Sequence, residues 1–271
     1  VKKLSRIVLG EIGECIYCRD DKSSLSTEHI IPFGLNGRWE LLKASCGQCA
    51  KITSKFEMSV QRVTYLLNRK SMKLPSRRKG AHQKEYELFV NRTGKHEQIW
   101  VSAEYHPATL IFPQLAEPAF LDGRPLTRGV TVVGVIEVQG DGLSLEEVAK
   151  RYNAKEVATT TTFVGNDFER MLAKSAYGFA VAKFGLDGFE RVFVLPTILG
   201  EKDDAGRWVG CDKNINLAAG RDLHDVSIEV MMNRVVIVRI KLFSIFAAPE
   251  YKIVVGILRD EIHERLPRTD N

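Results

Sequence analysis

Between residues 52 and 72 apolar side chains recur every three or four positions. Ile52, Phe56, Val60, Val63 and Leu67 fall on one stripe of a helix that starts near Gln48. Pro75 stops any helix, and the following PSRRKGAHQK reads as a basic loop. Past residue 85 the period changes. YELFVN, QIWVSA, VTVVGVIEV, VATTTTFV, RVFVLPTIL, VSIEVMM, RVVIVRIKLF and YKIVVGIL are β-branched or aromatic runs bounded by Gly, Pro, Asn or Asp, and they predict strands. The threonines 159–162 belong to one of these predicted strands. Two helical patterns interrupt the series. SLEEVAKRY opens with Ser144 and Glu147 at capping-box spacing. NDFERMLAKSAYGFAVAKFG sets Phe168, Leu172, Ala176, Phe179 and Phe184 on one face, with Gly185 as its C-cap.

These patterns predict an α+β protein in two parts. Residues 1–84 form a small finger with a basic helix and loop. Residues 85–271 form a larger mixed, mostly antiparallel sheet region with two main helices. A chain of 271 residues, 44% hydrophobic and 27% charged, can bury a core without staples. No stretch reads as a signal peptide or a membrane span, so the chain is expected to be cytoplasmic and to have no membrane partner.

Charge refines the division. Residues 1–50 hold seven Lys/Arg against six Asp/Glu, residues 51–84 ten against one, and residues 85–271 hold 22 against 27. The net charge of +5 therefore comes from one short block, which suits a polyphosphate backbone or, more plainly, a solvated helix face. Within it Arg69, Lys70, Lys73, Arg77, Arg78 and Lys79 are the candidate phosphate contacts. Few aromatics interleave them, which argues against a single-strand stacking platform.

Four of the five cysteines form two Cys-x-x-Cys pairs, Cys15/Cys18 and Cys46/Cys49, with 27 residues between Cys18 and Cys46. Each pair makes a tight turn that aims two sulfurs at one point, and four thiolates complete a tetrahedral zinc site. Such a site is closed to water, so the zinc holds the fold and performs no chemistry.

Between the pairs lies STEHIIPFG, with Glu28 directly before His29. On a regular strand these side chains face opposite ways, so they can flank one phosphate only if the strand bends. The combination CxxC, EHIIP and KASCxxC, over about residues 14–60, resembles the four-cysteine branch of the HNH endonucleases. That family has a ββα-metal fold. The resemblance implies a DNA endonuclease that hydrolyses phosphodiester bonds, with His29 as general base and Glu28 as ligand to a single catalytic Mg²⁺ or Mn²⁺. It also points to a bacterial or phage protein, where such fusions serve in defence.

The sequence departs from that family in two places. Asn36 is either the residue that orients the imidazole or half of an Asn-Gly turn. Ala50 stands immediately after the last cysteine, where the family carries a second metal ligand. One helix face running from position 50 holds Thr53, Ser54 and Glu57. Glu57 lies about 10 Å along the axis, but its side chain points back toward the N-terminus. The branch that ITSKFE resembles carries Thr and Glu at these positions, which makes Glu57 the replacement ligand and Thr53 a site residue. Otherwise Glu57 is a surface carboxylate, and the finger is a zinc-binding interaction module with a decayed site.

Residues 85–271 carry no Walker A loop, dinucleotide fingerprint or nucleophile elbow. His224 and His263 lie among carboxylates and are expected in surface ion-pair networks. A sensing, inhibitory or dimerising role fits this region, with an effector ligand or a second copy of the chain as its partner.

Overall fold

The computed structural model describes residues 5–76, 85–125, 128–160 and 162–266. Arg77, Arg78 and Lys79, and Thr161 of the threonine run, lie outside them. The finger opens with β1 (Ile7–Glu11), β2 (Leu25–His29) and β3 (Trp39–Cys46), followed by α1 (Gly47–Ser59). The sheet order is β1-β3-β2, so β2, which carries Glu28 and His29, is an edge strand. It pairs antiparallel with β3, setting Glu28 opposite Leu41 and His29 opposite Glu40. The register slips between Ser26 and Glu28. This bulge bends the strand just before the two site residues.

The single helix predicted over 52–72 is interrupted. After α1 the backbone makes a π turn over Val60–Thr64, with Tyr65 N–H on the Val60 carbonyl at 3.1 Å, and resumes as α2 (Leu66–Ser71). The extra residue in that turn rotates the buried stripe. Thr64, Tyr65 and Asn68 take inner positions, and Val63, predicted to face inward, is 42% exposed. Tyr65 then sits among Phe112, Phe168 and Phe243, with ring centroids 5.2–6.4 Å away.

Beyond residue 85 come β4 (Glu85–Asn91), β5 (His96–Ser102), β6 (Thr109–Leu115), α3 (Ala119–Asp122), β7 (Val132–Gln139), α4 (Leu145–Arg151), β8 (Glu156–Ala158) and α5 (Asp167–Phe184). The chain ends with β9 (Phe189–Val192), α6 (Leu195–Leu199), α7 (Ala205–Trp208), β10 (Val209–Cys211), β11 (His224–Val230), β12 (Val235–Leu242), β13 (Tyr251–Leu258) and α8 (Asp260–His263). The class is α+β, as expected, and every strand pairing among the described residues except β1–β3 is antiparallel. β6 escaped the sequence reading because Pro113 interrupts its apolar run. Pairing of the predicted VATTTTFV strand stops at Ala158, which leaves Thr159 and Thr160 outside the ladder. The predicted RVFVLPTIL strand ends at Val192, and Pro196 helps to start α6. The capping box at Ser144 and Glu147 is formed as the spacing required.

A small satellite core of Leu88, Val90, Val101 and Val148 lies under β4, β5 and α4. The main core runs without a break from Ile16, Ile30 and Phe56 of the finger, through Leu172 and Ala176 of α5, to Val238 and Val254 of the C-terminal sheet. Among the described residues, α5 joins the two parts of this core by packing on α1 and on β12 and β13. His224 corrects the expected surface site. It is 5% exposed, its Nε2 lies 2.7 Å from the Leu35 carbonyl, and its Nδ1 accepts the Phe243 N–H at 3.2 Å. Burial pushes its pKa down to about 4, so it stays neutral and ties the finger to the sheet.

Candidate functional site

The two cysteine turns meet at one point. The sulfurs of Cys15, Cys18, Cys46 and Cys49 all lie within 4.8 Å of one another, a grouping that can hold a metal ion. Arg19, in left-handed backbone, closes the first turn by donating its N–H to the Cys15 carbonyl at 2.8 Å. Cys46 is the N-cap of α1, and its Sγ accepts the Cys49 N–H at 3.5 Å. Burial raises the Cys46 thiol, but the Cys49 amide and the neighbouring thiols outweigh it and bring its pKa down to about 7. Burial and the adjacent Cys15 push Cys49 up.

Beside this cluster, β2 and α1 border a cleft of about 1030 Å³. Glu28, His29, Ala50, Thr53, Ser54 and Glu57 all line it, and Arg6, Arg62, Arg69 and Lys70 extend the lining. The bulge in β2 and the end of the strand at His29 let neighbouring residues border the same space. On α1 the positions 50, 53, 54 and 57 share the cleft face, as their spacing predicts.

The carboxylates of Glu28 and Glu57 converge on an ammonium that the sequence reading did not identify. Lys174, on α5 and 1% exposed, places Nζ 2.5 Å from Glu28 Oε1 and 2.8 Å from Glu57 Oε1. The same ammonium donates to the His29 carbonyl. Burial alone would lower the Lys174 pKa, and the two carboxylates outweigh it, so the group is held charged. Between Met171 and Ala182 Lys174 is the only charged residue, and that isolation in an apolar helix was the available signal.

Glu40 was also missed. It faces His29 across the β2–β3 ladder, is 4% exposed, and sets Oε1 3.2 Å from His29 Nε2. Arg6 Nε lies 3.2 Å from the same oxygen. The His29 ring meets Phe33 edge-on, with centroids 5.7 Å apart. Asn36 is buried and does not border the cleft. It sits in left-handed backbone and closes the short 33–35 turn through its N–H to the Phe33 carbonyl. Thr53 is buried at the cleft wall and its hydroxyl leans on the Ala50 carbonyl at 3.4 Å.

Among the candidate phosphate contacts Arg69 borders the cleft and is tied to the backbone. Its guanidinium donates to the carbonyls of Gly34, Gln61 and Pro75 at 2.7, 3.3 and 3.1 Å, strapping the finger turn to the end of the helix. Arg62 is exposed and Lys70 half-buried at the cleft. Lys73 is exposed and outside the lining.

Glu28 and Glu57 thus meet at the border of the cleft, each in an ion pair with Lys174. Among the described residues no helix is long and apolar enough to cross a membrane. Compared with protein-family models, curated proteins and solved structures, the chain finds no match.

Proposed function

We propose that the chain is a zinc-stabilised, metal-dependent endonuclease of the HNH type that hydrolyses phosphodiester bonds of DNA in the cleft between β2 and α1. The observation that carries this reading is the convergence of Glu28 from β2 and Glu57 from α1, beside His29, at a basic cleft. Glu57 supplies the carboxylate that Ala50 cannot. Zinc held by Cys15, Cys18, Cys46 and Cys49 keeps β2 and α1 in register and takes no part in the reaction.

Glu28 and Glu57 would hold Mg²⁺ or Mn²⁺, which supplies Lewis acidity to the scissile phosphate. The protein's own groups do the rest. The His29 imidazole, whose Nε2 lies 3.2 Å from Glu40 Oε1, would take the proton of the attacking water as general base. Glu40 steadies the imidazolium so formed, as a buried carboxylate can. Arg62 and Lys70 neutralise backbone phosphates along the cleft without reading bases.

The test is supercoiled plasmid incubated with zinc-loaded protein and Mg²⁺ or Mn²⁺. Nicking that disappears in His29→Ala, with bound zinc unchanged, supports the reading. Equal cutting by His29→Ala refutes it.

Ala50 and the Lys174 ammonium favour a second reading. The ammonium already cancels one of the two carboxylate charges, so the finger could be a binding module with a decayed site. That reading predicts salt-sensitive DNA binding and no cleavage with any divalent metal.

A further inference from the structure

We propose that Lys174 is the positioning residue of this cleft: its ammonium fixes the separation of Glu28 and Glu57 and pins the strand end that carries His29. The inference deepens the endonuclease reading and rests on it.

An ammonium has three N–H donors. Lys174 donates to the carbonyls of His29 and Ile30, and its Nζ forms ion pairs with Glu28 Oε1 and Glu57 Oε1. Glu28 and His29 belong to β2 and Glu57 to α1, so a single group ties together both walls of the cleft. Glu28 and Glu57 border the cleft, and Lys174 does not. The ammonium therefore holds the pair from a side that does not line the cleft. Without it, two carboxylates at this distance would repel each other and drift apart.

The position of the ammonium is itself firmly set. Four residues earlier on α5, Arg170 donates to the Ile198 carbonyl at 2.7 Å and lies 4.7 Å from the Phe56 ring centroid. Three residues later, Tyr177 O–H donates to the Ile16 carbonyl at 2.6 Å, inside the first cysteine turn. Residues 170, 174 and 177 lie on one helical stripe. Lys174 lies 145 positions from His29 in the chain. The finger thus depends on α5 for the geometry of its carboxylates, and residues 85–271 complete the site.

The experiment uses the full chain, with Lys174→Met and Lys174→Gln as variants and Mn²⁺ as the probe. Zinc content and thermal midpoint establish that each variant is folded. If Lys174→Met unfolds, Lys174→Gln is read in its place, because its amide keeps a polar group in the buried site but carries no charge and ends one bond short of the Lys174 nitrogen. Mn²⁺ affinity is measured by paramagnetic resonance, and kcat and KM on supercoiled plasmid. In a folded, zinc-loaded variant Mn²⁺ affinity and kcat should each fall by about 10–100-fold, as for loss of a group that orients metal ligands, with KM for DNA nearly unchanged. Unchanged affinity and kcat would make Lys174 a purely structural residue and overturn the proposal. Tighter Mn²⁺ binding would overturn it too, by showing that the ammonium competes with the metal. A wild type that cleaves equally with its variants removes only this inference. A wild type that neither binds Mn²⁺ nor cleaves removes the endonuclease reading together with it.

Discussion

Two points in this molecule gather polar groups from distant parts of the chain, and they do so by different means. At the first, four thiols come from two short motifs, each of which makes its own turn. At the second, Glu28 comes from a strand, Glu57 from the third turn of a helix, and Lys174 from a helix that begins more than a hundred residues later. The thiol point is specified locally and needs the fold only to bring two halves together. The carboxylate point exists only once α5 has packed against α1. The difference teaches where each is vulnerable. The first should be sensitive to loss of a bound metal, and the second to a shift of a helix.

The largest effect should come from the thiol point. Cys46→Ala removes one of four ligands, and structural zinc is worth on the order of 10 kcal/mol to a small finger at neutral pH. The expected outcome is loss of bound zinc and early melting of β2, β3 and α1, followed by hydrogen exchange. If those strands stay protected without zinc, the two points are more alike than proposed, because α5 alone would hold the finger.

A further buried carboxylate on α5 has no such cation. Glu169 lies on α5, fully buried, and no cation pairs with it among the described residues. Burial raises its pKa from 4.5 to about 7. The folded state therefore holds this proton more tightly than the unfolded state. Stability from this group is present below pH 4.5 and is lost as pH rises toward 7, by roughly 3 kcal/mol in all. Glu169→Gln should abolish that slope and be the more stable protein at pH 8 by denaturant unfolding. A variant no more stable than wild type at pH 8 would mean that the site takes up water or shifts to accommodate the charge.

The smallest expected effect links the two points. Tyr177→Phe removes the O–H that donates to the Ile16 carbonyl, at a cost of about 1–2 kcal/mol for one buried hydrogen bond. Zinc should be retained but exchange faster with a chelator, while Mn²⁺ affinity stays at the wild-type value. If Mn²⁺ affinity fell instead, α5 would be tuning the carboxylates through Tyr177 as well as through Lys174.

Much of this was legible in the sequence, and the parts that were not share a cause. The cysteine turns, the helix face bearing Thr53 and Glu57, the capping box at Ser144 and most strands follow from spacing alone, because the forces that form them act within a few residues. Glu40 and Lys174 were missed because their meaning depends on partners. Glu40 matters through its place opposite His29 in a ladder whose register includes a bulge. Lys174 matters through two acids elsewhere in the chain, and a sequence pattern of apolar residues simply runs over it. His224 was misread for the same reason. Carboxylates next to it in the chain suggested a surface network, but both ring nitrogens meet backbone groups in the core. The π turn after Ser59 was equally invisible, since no residue type demands it, and it moved Val63 off the buried face.

The most direct test of the central claim is anomalous diffraction from crystals of the zinc-loaded protein soaked in Mn²⁺, with data collected at the zinc and manganese edges. The account predicts zinc at the four sulfurs, and manganese on the cleft side of Glu28 and Glu57, ligated by both carboxylates. Zinc alone, with no manganese at the carboxylates under conditions that saturate a hard-cation site, would contradict it.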